Sequence, residues 1–136
     1  MAKKINESFF KWLFLVAAIY DIVLGVLFLF WYKQIYNYFN IEMLNFPAYL
    51  QMSAAFVFAM GVGYYFVYKN MYRNVDLVKL GVVYKAAYSG VVGYFYFTNI
   101  ANIMFFWFAL IDFGFLLLFV LFLVEVRKDG RYKKWV

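Results

Sequence analysis

Asp21, Lys85 and Asp112 interrupt long apolar stretches of this 136-residue chain. A charge at bilayer depth is costly, so such groups face a helix interior or a wet cavity and take partners. Two carboxylates with one ammonium leave a formal excess of negative charge. Such a set can exchange a proton, bind a cation or hydrogen-bond, or it can simply clamp three helices in register. Lys85 shares a helical strip with Gly81, Tyr88 and Ser89, which turns it toward packed helix. Tyr20, Tyr64, Tyr65, Tyr84 and Tyr88 are spaced to bring hydroxyls near the three charges.

Other chemistry is sparse. With no Cys, the chain has no disulfide, thiol nucleophile or thiolate metal site. With no His, it lacks the commonest general base and the usual zinc and haem ligand. Catalysis would fall to carboxylate, lysine, tyrosine or a bound cofactor, and no nucleophile–base–oxyanion constellation is visible. No catalytic residue, metal ligand or cofactor is assigned. The net charge of +6 lies at segment ends rather than on a phosphate-binding loop or recognition helix, so nucleic acid is not an expected partner.

The elements that must position the charges follow from composition. At 68% hydrophobic and 27% aromatic, the chain carries more apolar surface than a soluble domain of this size can hide. Runs of about 20 apolar residues cross the hydrocarbon layer as helices, and they lack the alternation of barrel strands. The expectation is a single all-α domain, an integral membrane four-helix bundle with spans at about 12–32, 48–68, 77–97 and 103–124. The first run is too long for a signal-peptide core and has no small-residue cleavage site after it, so it reads as a retained helix.

Lys3, Lys4 and Lys11 precede the first span. Lys69, Arg73 and Lys79 flank the second connection, and Arg127, Lys128, Arg131, Lys133 and Lys134 follow the last span. The other two connections hold only Lys33. By the positive-inside bias both termini are cytoplasmic, in a multi-pass protein of the inner (cytoplasmic) membrane. Residues 1–68 and 69–136 then form two hairpins of one orientation, which permits a parallel pseudo-repeat. Glu7, Glu42, Asp76, Glu125 and Asp129 lie near the interfaces and read as solvated. The aromatic first connection suits the headgroup zone as a short interfacial helix, with a ligand lid as the alternative.

Small residues at four-residue spacing mark close helix contacts in lipid. Ala55, Ala59 and Gly63 form one such line in the second span. Gly81, Ser89 and Gly93, with Ala86 and Gly90, form two in the third. The second and third spans are therefore the expected tightest pair. The Phe/Leu run from Phe113 to Leu123 suits lipid or another subunit.

The string Leu77-Val78-Lys79-Leu80-Gly81-Val82-Val83-Tyr84-Lys85, with Asp112 in the following span, resembles small uncharacterised bacterial four-span membrane proteins, loosely DoxX-like. Gly61-Val62-Gly63-Tyr64-Tyr65 is similar to their Gly-x-Gly-Tyr stretch. The resemblance covers roughly residues 50–124. It implies a four-span fold and draws attention to Lys85 and Asp112; Asp21 falls outside it.

The functional expectation is a non-enzymatic helical subunit or accessory protein of a membrane assembly, with lipid or quinone as a candidate ligand. It would sit in the lipid bilayer as a homo-oligomer or within a larger membrane complex. The alternative is a small proton-coupled transporter using Asp21, Lys85 and Asp112. A lipid-active enzyme working through Lys85 and a carboxylate ranks last.

Overall fold

The computed structural model describes residues 4–132. They form α1 (Glu7–Phe30), α2 (Tyr32–Tyr38), α3 (Pro47–Lys69), α4 (Val75–Phe97) and α5 (Ile103–Val126), with no strand among the described residues. Local chemistry sets the boundaries. The Asn6 side chain caps α1 by accepting the Phe9 amide at 3.2 Å, and Asn102 caps α5 through the Met104 amide at 2.9 Å. Pro47 opens α3 where an amide hydrogen is not needed. Asn40 (φ 53°) and Asn99 (φ 61°) take the left-handed conformation beyond the ends of α2 and α4, a region asparagine tolerates better than most residues. Asn74 Nδ2 donates to the carbonyls of Phe66 (2.9 Å) and Asn70 (3.0 Å), finishing α3 and turning the chain into α4.

α1, α3 and α5 are long and apolar enough to cross a membrane. α4 has the length, 23 residues, but not the apolarity. Asp76, Lys79, Lys85 and the tyrosines at 84, 88, 94 and 96 dilute it. Three of the four expected spans thus qualify by length and composition. Large apolar side chains point outward around the assembly, among them Trp12 (65% exposed), Phe56 (69%) and Trp107 (59%), as a lipid-facing surface requires.

The closest helix pair is α1 with α3, followed by α4 with α5. Glycine permits the first contact. A Cβ on Gly25 would lie 2.7 Å from the Phe58 nitrogen and 2.8 Å from the Ala54 carbonyl oxygen. One on Gly61 would lie 2.7 Å from the Ile22 nitrogen and 3.0 Å from the Ala18 oxygen. Backbone meets backbone here, the arrangement that holds helices together in lipid. Gln51 Nε2 adds a 3.1 Å hydrogen bond to the Leu29 carbonyl. In the second pair, Ser89 Oγ donates to the Ala109 carbonyl at 3.1 Å.

This corrects the expected α3–α4 pairing. Ala55 and Ala59 are exposed, and a Cβ on Gly63 would touch only Leu77, at 4.0 Å. Nothing lies within 4 Å of a Cβ on Gly90 or Gly93. Gly81 and Ser89 do pack. Small spacing identifies a smooth face but not its partner. On α3 the face carrying Ala54 and Gly61 is used because α1 offers Ala18 and Gly25 against it.

The two pairs meet through aromatic rings rather than backbone. Phe14 stands 5.2 Å from Phe119 and 5.0 Å from Phe122, and Tyr64 stands 5.1 Å from Phe119. These rings form a buried cluster in the half of the molecule nearest the termini. A smaller cluster around Phe28, Tyr36 and Met104 lies toward the other end. Phe119 and Phe122 are fully buried, so the Phe/Leu run of α5 is only partly an outward face.

Asp129 is likewise buried rather than solvated, at 0% exposure. It accepts the Ile5 amide at 3.1 Å and the Arg131 guanidinium at 2.8 Å, while Arg131 also reaches Glu7 at 2.7 Å. The two ends of the chain are thereby stitched together over Tyr72. Burial and the nearby Glu7 and Asp129 carboxylates push the Tyr72 hydroxyl up to about 12. Hydrogen bonds from Arg131 hold the Asp129 carboxyl well below the usual carboxylate range.

Two predictions follow from this packing. Gly25→Ala and Gly61→Ala should each lower thermal stability in detergent, by an overpacking cost of about 1–3 kcal/mol. Gly90→Ala should leave stability unchanged, since its Cβ meets nothing. The depressed Asp129 carboxyl contributes fully above the ordinary value of about 4 and loses its contribution as pH falls through its folded value. The protection factor of the Ile5 amide, the exchange rate of an unprotected amide relative to its own at the same pH, should therefore be high at neutral pH, fall on strong acidification, and be low at neutral pH in Asp129→Asn. Equal exchange in wild type and variant at neutral pH would refute the clasp.

Candidate binding site

Asp21, Lys85 and Asp112 sit near the middle of α1, α4 and α5, and the helix packing brings all three together. Lys85 Nζ lies 2.7 Å from Asp112 Oδ1 and 3.5 Å from Asp21 Oδ2. The short contact lies within the α4–α5 pair. The longer one bridges to the α1–α3 pair.

Lys85 is completely buried. Its ammonium lies 5.3 Å from the ring centre of Tyr64, 5.7 Å from Tyr84 and 5.2 Å from Phe115, distances at which aromatic faces attract a cation. The fit depends on Gly81, one helical turn before Lys85. A Cβ there would lie 2.7 Å from Tyr64 Cε1 and 2.9 Å from its hydroxyl. Gly81 therefore opens the space that Tyr64 fills beside the lysine.

The tyrosines contribute rings rather than hydroxyls. None of Tyr20, Tyr64, Tyr65, Tyr84 or Tyr88 hydrogen-bonds to the three charges; Tyr65 lies outward at 41% exposure. The hydroxyls of Tyr20 and Tyr64 are buried without a protein partner among the described residues. Spacing along a helix placed these residues at the right depth, but it did not fix which atoms meet.

A cavity of about 80 Å³ abuts the charges, lined by Asp21, Asp112, Phe28, Tyr84, Tyr88 and Phe108 among others. Lys85 is not in its wall. Leu50, Ser53, Tyr88 and Phe105 line both this cavity and a wide depression of about 910 Å³ at the end of the molecule away from the termini. The depression is bordered by residues 40–45 and by the turn at 99–102. Ser53 and Phe105 thus form a neck between the depression and the cavity that ends on two carboxylates, while Leu24, Phe28 and Phe108 border both the cavity and a lateral groove of about 430 Å³. On the opposite side of the charges lies the packed aromatic cluster of Phe14, Tyr64, Phe119 and Phe122.

The cavity and its neck were not legible in the sequence. Ser53, Phe28 and Phe105 carry no motif, and only the tertiary arrangement makes them a wall. Among the described residues no group of three or more potential metal-ligating side chains could hold a metal ion. Comparison with known proteins gives no match: no family profile, no curated protein and no solved structure aligns with the chain.

Removing Lys85 alone leaves two carboxylates buried without their cation, so Lys85→Met should be strongly destabilising, by about 3–5 kcal/mol. The triple variant Asp21→Asn, Lys85→Met, Asp112→Asn should recover most of that loss. Thermal unfolding in detergent separates the cases. A Lys85→Met protein as stable as wild type would show that the three groups do not act as one charged unit.

Proposed function

We propose that the chain is a four-span protein of the inner membrane, with both termini cytoplasmic, that holds an amphipathic ligand of lipid or quinone type without catalysing a reaction on it. It would serve as a helical subunit or accessory protein, as a homo-oligomer or within a larger membrane complex. The observation that carries this reading is the cavity ending on Asp21 and Asp112, which shares walls with the wide depression at the end of the molecule away from the termini. By the positive-inside bias, the Lys and Arg residues at the termini and around the 70–74 turn favour an orientation with that depression on the outer side. α4 is the fourth span in this reading. Its one charge near mid-helix, Lys85, is turned fully inward, and its other two, Asp76 and Lys79, pair with each other near the start of the helix, which removes the main obstacle to a lipid environment.

Apolar walls with a few convergent polar groups are the usual makeup of a small-molecule site. Native mass spectrometry from nanodiscs, without overexpression, should find a defined small molecule on the chain. Ser53→Phe, which narrows the neck shared by cavity and depression, should remove it while leaving the fold intact. A ligand-free wild-type chain, or a ligand retained unchanged in Ser53→Phe, would overturn the reading.

A second reading, a small proton-coupled transporter, is favoured by the asymmetry of access to the carboxylates. Asp21→Asn or Asp112→Asn should then abolish pH-driven flux in proteoliposomes with the protein still folded. Unchanged flux would sink it.

A further inference from the structure

The carboxylates at the foot of the cavity have more acceptor capacity than the protein satisfies. The side chains of Asp21 and Asp112 are 2% and 7% exposed. Each receives one hydrogen bond, from Lys85, on one oxygen only. The second oxygen of each accepts nothing from the described residues and is not fully buried, so it is open to a donor entering the cavity. Both residues line the cavity while the lysine, with its donors directed at them, is sealed behind. Ser53, at the neck, spends its hydroxyl on the Tyr49 carbonyl at 3.0 Å. The wall therefore offers two carboxylate acceptors, an excess of negative charge, the hydroxyls of Tyr84 and Tyr88, and the faces of Phe28 and Phe108.

We infer that the cavity recognises a primary ammonium group carried on an apolar body, the ammonium donating hydrogen bonds to Asp21 and Asp112. This rests on the ligand-binding reading above and names its ligand class. The chemistry of the wall selects the head group. An ammonium brings three N–H donors and balances the charge that Lys85 leaves over. A quinone carbonyl could accept from Tyr84 or Tyr88 but would leave both carboxylates without donors and their excess charge unbalanced, and a carboxylate or phosphate adds like charge. The cavity, about 80 Å³, takes the head group, and the aromatic wall suits a cation beside it. The apolar body extends through the neck into the wider depression. Asp21 is the residue most available to the ligand, since Lys85 holds it at 3.5 Å against 2.7 Å for Asp112.

The test uses the full chain in phosphatidylcholine nanodiscs, titrated calorimetrically with phenethylamine, phenethyl alcohol, its N-trimethyl ammonium analogue and decylubiquinone. Phenethylamine should bind at least about tenfold more tightly than the alcohol and the quaternary analogue, as charge-assisted hydrogen bonds would require. Asp21→Asn should weaken phenethylamine about tenfold or more and leave the alcohol unchanged. Ser53→Phe, which touches no charge, should block both and covers the case in which Asp21→Asn fails to fold.

Alcohol or quaternary analogue binding as tightly as the amine would overturn the ammonium assignment. Decylubiquinone binding that Ser53→Phe abolishes, with no amine binding, would overturn it while leaving the ligand-binding reading standing. No binding by any probe would remove both. Adding phosphatidylethanolamine to the nanodiscs separates the sources within the supported class. Competition with phenethylamine identifies a lipid headgroup, and its absence identifies a free amine.

Discussion

The buried ammonium of Lys85 is the constraint around which the rest of the molecule is arranged. Placed in an apolar helix assembly, a lysine must keep its charge company or lose it. Here Asp112 meets it at 2.7 Å, Asp21 at 3.5 Å, and aromatic faces close the remaining sides. Each of these contacts asks something of the fold. Gly81 must lack a side chain so that Tyr64 can lie beside the lysine. α1 must come near enough for Asp21 to reach across from the other helix pair.

The two kinds of helix contact divide the labour. Within the α1–α3 pair, glycines bring backbones together, so that contact is rigid and unforgiving of volume. Between the pairs, phenylalanine rings fill the space, which keeps the backbones apart and leaves room at the seam. The charges and the cavity both lie on that seam. A site built where packing is by large side chains can be hollowed on one side without breaking a backbone contact. The half toward the termini is filled by Phe14, Tyr64, Phe119 and Phe122, while the other half holds the cavity.

Legibility from sequence followed the range of the interaction. Helical content, the 103–124 span and the presence of three deep charges came directly from composition and spacing, because these depend on neighbours along the chain. The α1–α3 contact did not, since Gly25 and Gly61 are single glycines without a repeating small-residue line. Ala55, Ala59 and Gly63 looked stronger on α3 and turned out to face away from α1. The burial of Asp129 was hidden for a similar reason. Its partners Ile5 and Glu7 lie at the opposite end of the chain, and a charge just past a span reads as solvated by default. Nothing local distinguishes Ser53 or Phe105 as a neck.

The inequality of the two Lys85 contacts bears on what the site can do. A symmetrical clamp would hold both carboxylates at like distance from the ammonium. Instead α4 and α5 carry a short ion pair of their own, and α1 contributes a carboxylate that is held at longer range. A structural clamp gains nothing from placing that second carboxylate beside a cavity, since burying it more completely against the lysine would be cheaper than leaving part of its acceptor capacity unmet. A binding site does gain, because an acidic group with a weak internal partner can accept an external one without dismantling the pair beside it. The geometry of Asp21, more than the presence of three charges, is what separates the two interpretations.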